Sequence, residues 1–224
     1  MDAKRTLASG ILLVALTYVL PATSRAAVIY TNPPDLSGTQ DGQCPYNTVC
    51  GAGKGYAAQE FTLAGPATIT SVGFNSIVLG SGQTGTAANY RFLDANGAGG
   101  LPGTLIASGA GAPLTATSGP VGVRFATTDY SFDITPLTLV AGDYYVSIQE
   151  VTSNGSDFLS RGSAASGAAE SLDGGVTYSA GYAGFMSIAV SLNGRTAIPE
   201  PATLALLGTG LLGLGIARRS KTRS

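Results

Sequence analysis

The sequence predicts an all-β protein built as an antiparallel β-sandwich of jelly-roll type. Three observations point there. Short runs of alternating apolar and polar residues recur between positions 56 and 192. Turn-forming dipeptides separate them: Asn96-Gly97, Asn154-Gly155, Asp173-Gly174 and Asn193-Gly194. No apolar period of 3.6 is sustained over a dozen residues, so long helices are not expected in this portion. Strands at this spacing with no helices between them stack as two antiparallel sheets.

The elements follow in order. Residues 28–31 form the first expected strand, and 59–63, 68–74, 90–93 and 104–107 the next four. In Val121-Gly122-Val123-Arg124-Phe125 the valines and Phe125 share one face. Residues 130–134 follow. In the run 144–149, Tyr144, Val146 and Ile148 share one face, with Ser147 and Gln149 opposite. In 186–192 the large apolar residues fall on one side and small ones on the other. Each run reads as a strand with one buried face. The Gly/Ser/Thr-rich stretches 80–88 and 109–119 read as surface loops, and 32–54 as a long Gly/Pro/Asn loop.

Both ends differ in character. Lys4 and Arg5 precede an apolar stretch, 7–20, followed by Ser24, Arg25, Ala26 and Ala27. A charged start, an apolar middle and small residues at the cut make a secretory signal peptide over 1–26, cleaved between Ala26 and Ala27 by signal peptidase. At the other end, Pro199-Glu200-Pro201 is followed by 16 uncharged residues, 202–217, and then by Arg218, Arg219, Lys221 and Arg223. As a helix the run spans about 24 Å at roughly 1.5 Å per residue. That is short for a hydrocarbon core of about 30 Å, and flanking arginines reduce the mismatch. The basic cluster is a stop signal that places the C-terminus in the cytoplasm. The two prolines hold Glu200 in extended backbone ahead of the helix. The expected layout is signal peptide 1–26, a strand and loop 27–55, the sandwich 56–195 and a terminal segment 198–224.

Charge separates the ends from the middle. The whole chain has 12 basic and 13 acidic residues, for a net charge of −1. Seven of the basic residues but only Asp2 of the acidic ones lie in the two removable ends, so residues 27–201 carry 5 basic and 12 acidic residues, a net charge of −7. Such a surface disfavours nucleic acid, whose phosphates need lysine and arginine. It allows cations and neutral sugars. Cys44 and Cys50 are the two cysteines, and both fall in the exported part. In an oxidising compartment they are expected to form a local disulfide. Its short loop puts the gain near the low end of about 2–4 kcal/mol.

Histidine is absent. That removes Ser-His-Asp and Cys-His catalysis and the commonest zinc sites. No catalytic residue, no resident metal and no cofactor is expected, and the chain is read as a non-enzyme. Asp94-Ala95-Asn96-Gly97 resembles the start of a calcium loop, but Ala98, Gly99 and Gly100 supply no further ligands, so a hairpin turn is the better reading. Calcium held between loops has no nameable ligand set. Glu60, Glu150 and Glu170 do not cluster in sequence as a two-carboxylate glycosidase needs. Tyr145, Tyr178 and Tyr182 are candidates for stacking on sugars, against the plainer expectation that they are packed.

The tail resembles the PEP-CTERM sorting signal of Gram-negative bacteria. Pro199-Glu200-Pro201, the Gly/Leu span and Arg218-Arg219 stand in that signal's order. The resemblance implies recognition by an exosortase, a membrane transpeptidase, with cleavage near the motif, a transient inner-membrane anchor and delivery to the cell surface or extracellular matrix. It also implies association with exopolysaccharide and biofilm. Residues 59–63, 101–109 and 136–148 resemble the β-sandwich ectodomains called choice-of-anchor domains, which are often found ahead of this tail. Alternatives are a carbohydrate- or calcium-dependent binding module, an ice-binding adhesin and a carboxylate-based glycoside hydrolase. An ice-binding surface calls for a regular threonine array, which the sequence lacks.

Overall fold

A computed structural model describes residues 27–36, 55–78, 85–120, 126–152, 157–164, 167–180 and 187–196. The expected strands at 121–125 and at Met186, the Asn154-Gly155 turn and the Cys44–Cys50 pair lie outside the described residues. So do the expected signal-peptide helix and the expected membrane helix of 202–217.

Among the described residues, twelve strands form two antiparallel sheets packed as a sandwich. They are β1 (Ala27–Asn32), β2 (Tyr56–Leu63), β3 (Ala67–Val78), β4 (Gly85–Asp94), β5 (Leu105–Gly111), β6 (Thr115–Ser118), β7 (Thr127–Leu139), β8 (Gly142–Thr152), β9 (Asp157–Leu159), β10 (Ala168–Ser171), β11 (Ser179–Ala180) and β12 (Val190–Thr196). Sheet 1 runs β1-β12-β3-β7-β6, with β9 also paired to β3. Sheet 2 runs β11-β10-β2-β8-β4-β5. The pairs β1·β12, β2·β8, β3·β7 and β4·β5 are nested, and they fold over into facing four-strand sets, β1-β12-β3-β7 and β2-β8-β4-β5. That nesting is the jelly-roll arrangement.

The core is a file of rings crossing between the sheets. Phe61 of β2 lies 5.8 Å from Tyr30 of β1 and 6.3 Å from Phe92 of β4. Tyr90 of β4 then meets Phe132 of β7 at 5.7 Å, and Phe74 of β3 closes on Tyr130 at 5.3 Å. Ile69, Val72, Val146, Ile148, Ile188 and Leu192 fill the space around them, all fully buried. Alternation in β8 puts Val146 and Ile148 on its inward face, and the register shift between Ile69 and Ser71 lets Ile69 and Val72 of β3 both join the core.

The structure corrects the reading at several points. Residues 85–88 belong to β4, and the expected loop 109–119 contains the end of β5 and all of β6. These stretches escaped notice because their residues are small and show no hydrophobic alternation. Their smallness is required. A Cβ on Gly109 would stand 2.7 Å from the Tyr90 hydroxyl, and one on Gly111 would collide with the Phe132 ring. Asn32, expected in a loop, ends β1 and is buried. Its amide donates to the Ile188 carbonyl at 2.8 Å and accepts from the Ala164 N–H at 2.9 Å. Beside it, Gln59 Oε1 accepts from the Ile188 N–H at 3.1 Å. These amides join the two sheets at one end of the sandwich.

Of the expected turns, Asp173-Gly174 does need positive φ: Gly174 and Gly175 have φ of 83° and 79°. Gly97 does not, with φ of −63°. Asn193-Gly194 is not a turn. It lies inside β12, where the register to β3 shifts. A Cβ on Gly194 would collide with the Thr68 carbonyl oxygen and stand 2.9 Å from the Ile69 Cα, so the backbone leaves room there for glycine alone. Gly194→Val is therefore expected to cost about 1–3 kcal/mol, read as a lower urea midpoint with unchanged slope.

Candidate functional site

The outer face of sheet 2 is the first place to look for a site, because β8 is buried on both faces. Inward-facing Tyr144, Val146 and Ile148 join the core as expected. Outward-facing Ser147 and Gln149, expected on the open face of the strand, are covered as well, and Tyr145 is buried beside them. Ala58, Leu93, Tyr145 and Ala169 make a small second core, with Leu101 and Tyr178 folded onto it. The cover comes from the β4–β5 connection and from the segment after β10.

Each cover is pinned by one carboxylate. In the β4–β5 connection, Asp94 Oδ1 accepts the Thr104 N–H at 2.7 Å and the Asn96 N–H at 3.4 Å. The calcium-like start of that loop is thus used to close a connection between paired antiparallel strands. After β10, Asp173 accepts the N–H groups of Val176 and Thr177 and the hydroxyls of Ser171 and Thr177 at 2.6–3.1 Å. Thr177's hydroxyl and N–H, then Ser171's hydroxyl, hold the Asp173 carboxyl well below the usual carboxylate range. Arg91 Nη1 donates to the Gly174 carbonyl at 2.7 Å, and its guanidinium lies 5.5 Å from the Tyr56 ring centre.

Of the candidate sugar-stacking tyrosines, Tyr145 and Tyr178 are packed, as the plainer expectation had it. The Tyr145 hydroxyl donates to the Gly100 carbonyl at 2.8 Å, and that of Tyr178 to Ser147 Oγ at 3.0 Å. Tyr182 lies outside the described residues. Burial, with a smaller push from the Glu60 charge, raises the Tyr145 phenol from 10.0 to about 12. The neutral phenol is therefore the form that the fold favours. Its contribution to stability is complete below pH 10 and is lost as pH rises through about 12. In a titration followed at 295 nm, the wild type minus Tyr145→Phe difference is expected to show one phenolate appearing near pH 12 and none near 10.

The carboxylates do not converge. Glu60 takes the outward position opposite Tyr145, while Glu150 points inward and accepts the Ser76 hydroxyl at 2.9 Å. These two lie on opposite faces of sheet 2, so they cannot flank one glycosidic bond. Glu170 stands on β10 opposite Ala57. Among the described residues no group of three His, Cys, Asp or Glu side chains is placed to hold a metal ion.

What the fold does place side by side is the first and last described strands. β1 pairs antiparallel with β12, and Ala27 is the partner of Gly194. The chain therefore enters sheet 1 and leaves it at the same end of the sandwich. Two residues past Thr196, the expected sorting segment begins. Residues 197–219 match the PEP-CTERM protein-sorting motif.

The tail is a PEP-CTERM sorting signal. A chain carrying such a signal is exported, held transiently in the membrane and processed by exosortase, a membrane transpeptidase. No curated protein matches the chain. The residues of the motif, Pro199, Glu200 and Pro201 with the basic Arg218, Arg219, Lys221 and Arg223, lie outside the described residues, as do Ala26, Cys44 and Cys50. Ala27 opens β1 and is exposed. Sequence reasoning missed the buried amides of Asn32 and Gln59 and the loop-closing role of Asp173. The pattern Ser171-x-Asp173-Gly174 was the available signal for the latter.

Proposed function

We propose that this chain is a secreted, non-enzymatic structural protein of the cell surface or extracellular matrix in a Gram-negative bacterium. In this reading a Sec-type signal peptide is removed by signal peptidase between Ala26 and Ala27. Segment 202–217 then anchors the chain in the inner membrane, with Arg218, Arg219, Lys221 and Arg223 in the cytoplasm. Exosortase acts at Pro199-Glu200-Pro201, Cys44 and Cys50 are joined as a disulfide, and the sandwich is delivered to the exopolysaccharide of the biofilm. The observation that carries this reading is the sorting motif placed directly after β12.

The packing of the sandwich supports a structural role over a binding module. Tyr145 and Tyr178 have their hydroxyls engaged by the protein, and Asp94 closes its own loop. Fractionation of the producing cells tests the reading. The protein is expected in the matrix fraction, released when the polysaccharide is digested enzymatically. Retention at the cell envelope regardless of digestion would refute the association with the polymer while leaving the sorting intact.

A further inference from the structure

The two edge strands on one side of the sandwich carry no charge. Between Asp94 and Arg124 the sequence has no Asp, Glu, Lys or Arg. The described part of that stretch supplies both edge strands of one side: β5 at the edge of sheet 2 and β6 at the edge of sheet 1. They are neighbours, since Gly111 of β5 lies against Phe132 of β7, the strand that carries β6. Among the described residues β5 is hydrogen-bonded on one flank, to β4, from Leu105 opposite Leu93 to Gly111 opposite Ala88. Its other row of backbone N–H and C=O groups faces outward. Leu105 and Ile106 are 43 % and 40 % exposed, and Ser108, Gly109 and Ala110 are exposed too.

Proteins ordinarily blunt such an edge with lysine, proline or a strong twist, because an open ladder pairs with any strand that can reach it. β5 carries none of the charged or proline guards. Its small residues from Ala107 to Gly111 put no bulky side chain in the path of an incoming backbone. We propose that β5 is an association edge, pairing antiparallel with β5 of a second copy of this chain and making sheet 2 continuous across the dimer.

The charge pattern selects a second copy over an unrelated partner. Around a two-fold axis each residue near the centre faces its own counterpart, so any charged residue would meet a like charge. A strand with no charge is compatible with itself. In a chain whose exported part carries −7, these uncharged edge strands let two copies approach with little repulsion between the paired strands themselves. β6, all four residues exposed and uncharged, continues the same side in sheet 1.

The test uses the full chain, purified in mild detergent, in sedimentation velocity over a range of concentrations. The wild type is expected to pass from monomer to dimer. Ser108→Lys with Ala110→Lys is expected to raise the dimer dissociation constant by about tenfold, with an unchanged circular dichroism spectrum because both side chains are exposed. Hydrogen exchange on the wild type gives a second reading without a variant: the amides of β5 that point away from β4 should gain protection as concentration rises. A wild type that stays monomeric overturns the proposal. So does a dimer indifferent to the two lysines, which would place the contact in the 202–217 segment, and so does exchange in β5 that does not depend on concentration.

Discussion

Replacing Pro199 and Pro201 by alanine and Glu200 by glutamine should leave the protein uncut. Each proline fixes φ near −65° and withholds an N–H, so the sequence is expected to keep Glu200 out of any helix formed by 202–217. With alanines a helix formed by 202–217 could extend backward through the motif, which would remove the extended segment that the transpeptidase is expected to read. The change Glu200→Gln removes the one charge between Arg195 and Arg218. A site that reads a charged, extended tripeptide discriminates strongly against one lacking both properties, so processed product should fall about 100-fold. Intact-mass measurement of membrane and secreted fractions reads the result directly. The variant should end at Ser224 and stay with the membrane. A wild-type-like C-terminal mass from the variant would remove these three residues from the recognition step.

Truncating Phe61 to alanine should cost about 3–5 kcal/mol. Phe61 is 2 % exposed and sits where three rings meet, at 5.8 Å from Tyr30, 6.3 Å from Phe92 and 5.8 Å from Tyr144. It joins β1 of one sheet to β2, β4 and β8 of the other, so the cavity cannot close by moving a single strand. Against a typical domain stability of about 5–15 kcal/mol, the loss is a large fraction of the total. Urea unfolding followed by circular dichroism should show it. Phe61→Leu keeps much of the volume and should cost clearly less. The neighbour Thr62 is exposed and donates to Asp143 at 2.7 Å, so Thr62→Ala should stay within about 0.5 kcal/mol.

How much of this was legible in the sequence depended on burial. Strands with one buried face, such as 68–74 and 130–134, announced themselves through alternation. The inward residues of β8 are legible, but burial of its outward Ser147 and Gln149 is not, because the groups that cover and bond them, Tyr178, Gly55 and Asn89, are distant in sequence. The edge strands β5 and β6 were partly or wholly missed, since a strand built from Ala, Ser, Thr and Gly has no apolar period to detect. The bulge at Asn193-Gly194 imitated a turn because both features call for a residue without a Cβ. Asn32 looked like a loop residue by type, and only the tertiary pairing of Ile188, Ala164 and Gln59 around it explains why a polar amide is buried there. The sorting tail was legible throughout, because its signal is a linear one. Whether a jelly roll precedes it is a matter of nested pairing, which no local pattern encodes.

The position of β12 has a mechanical consequence. This strand is the last element before the tail, and it lies inside sheet 1, flanked by β1 on one side and β3 on the other. If the protein is tethered by its C-terminus, tension along that tether pulls β12 lengthwise between two neighbours. Both ladders are then loaded in shear, with many bonds sharing the force at once. A tether leaving from an edge strand could be peeled off bond by bond. A sandwich held this way should grip its own attachment strand against flow.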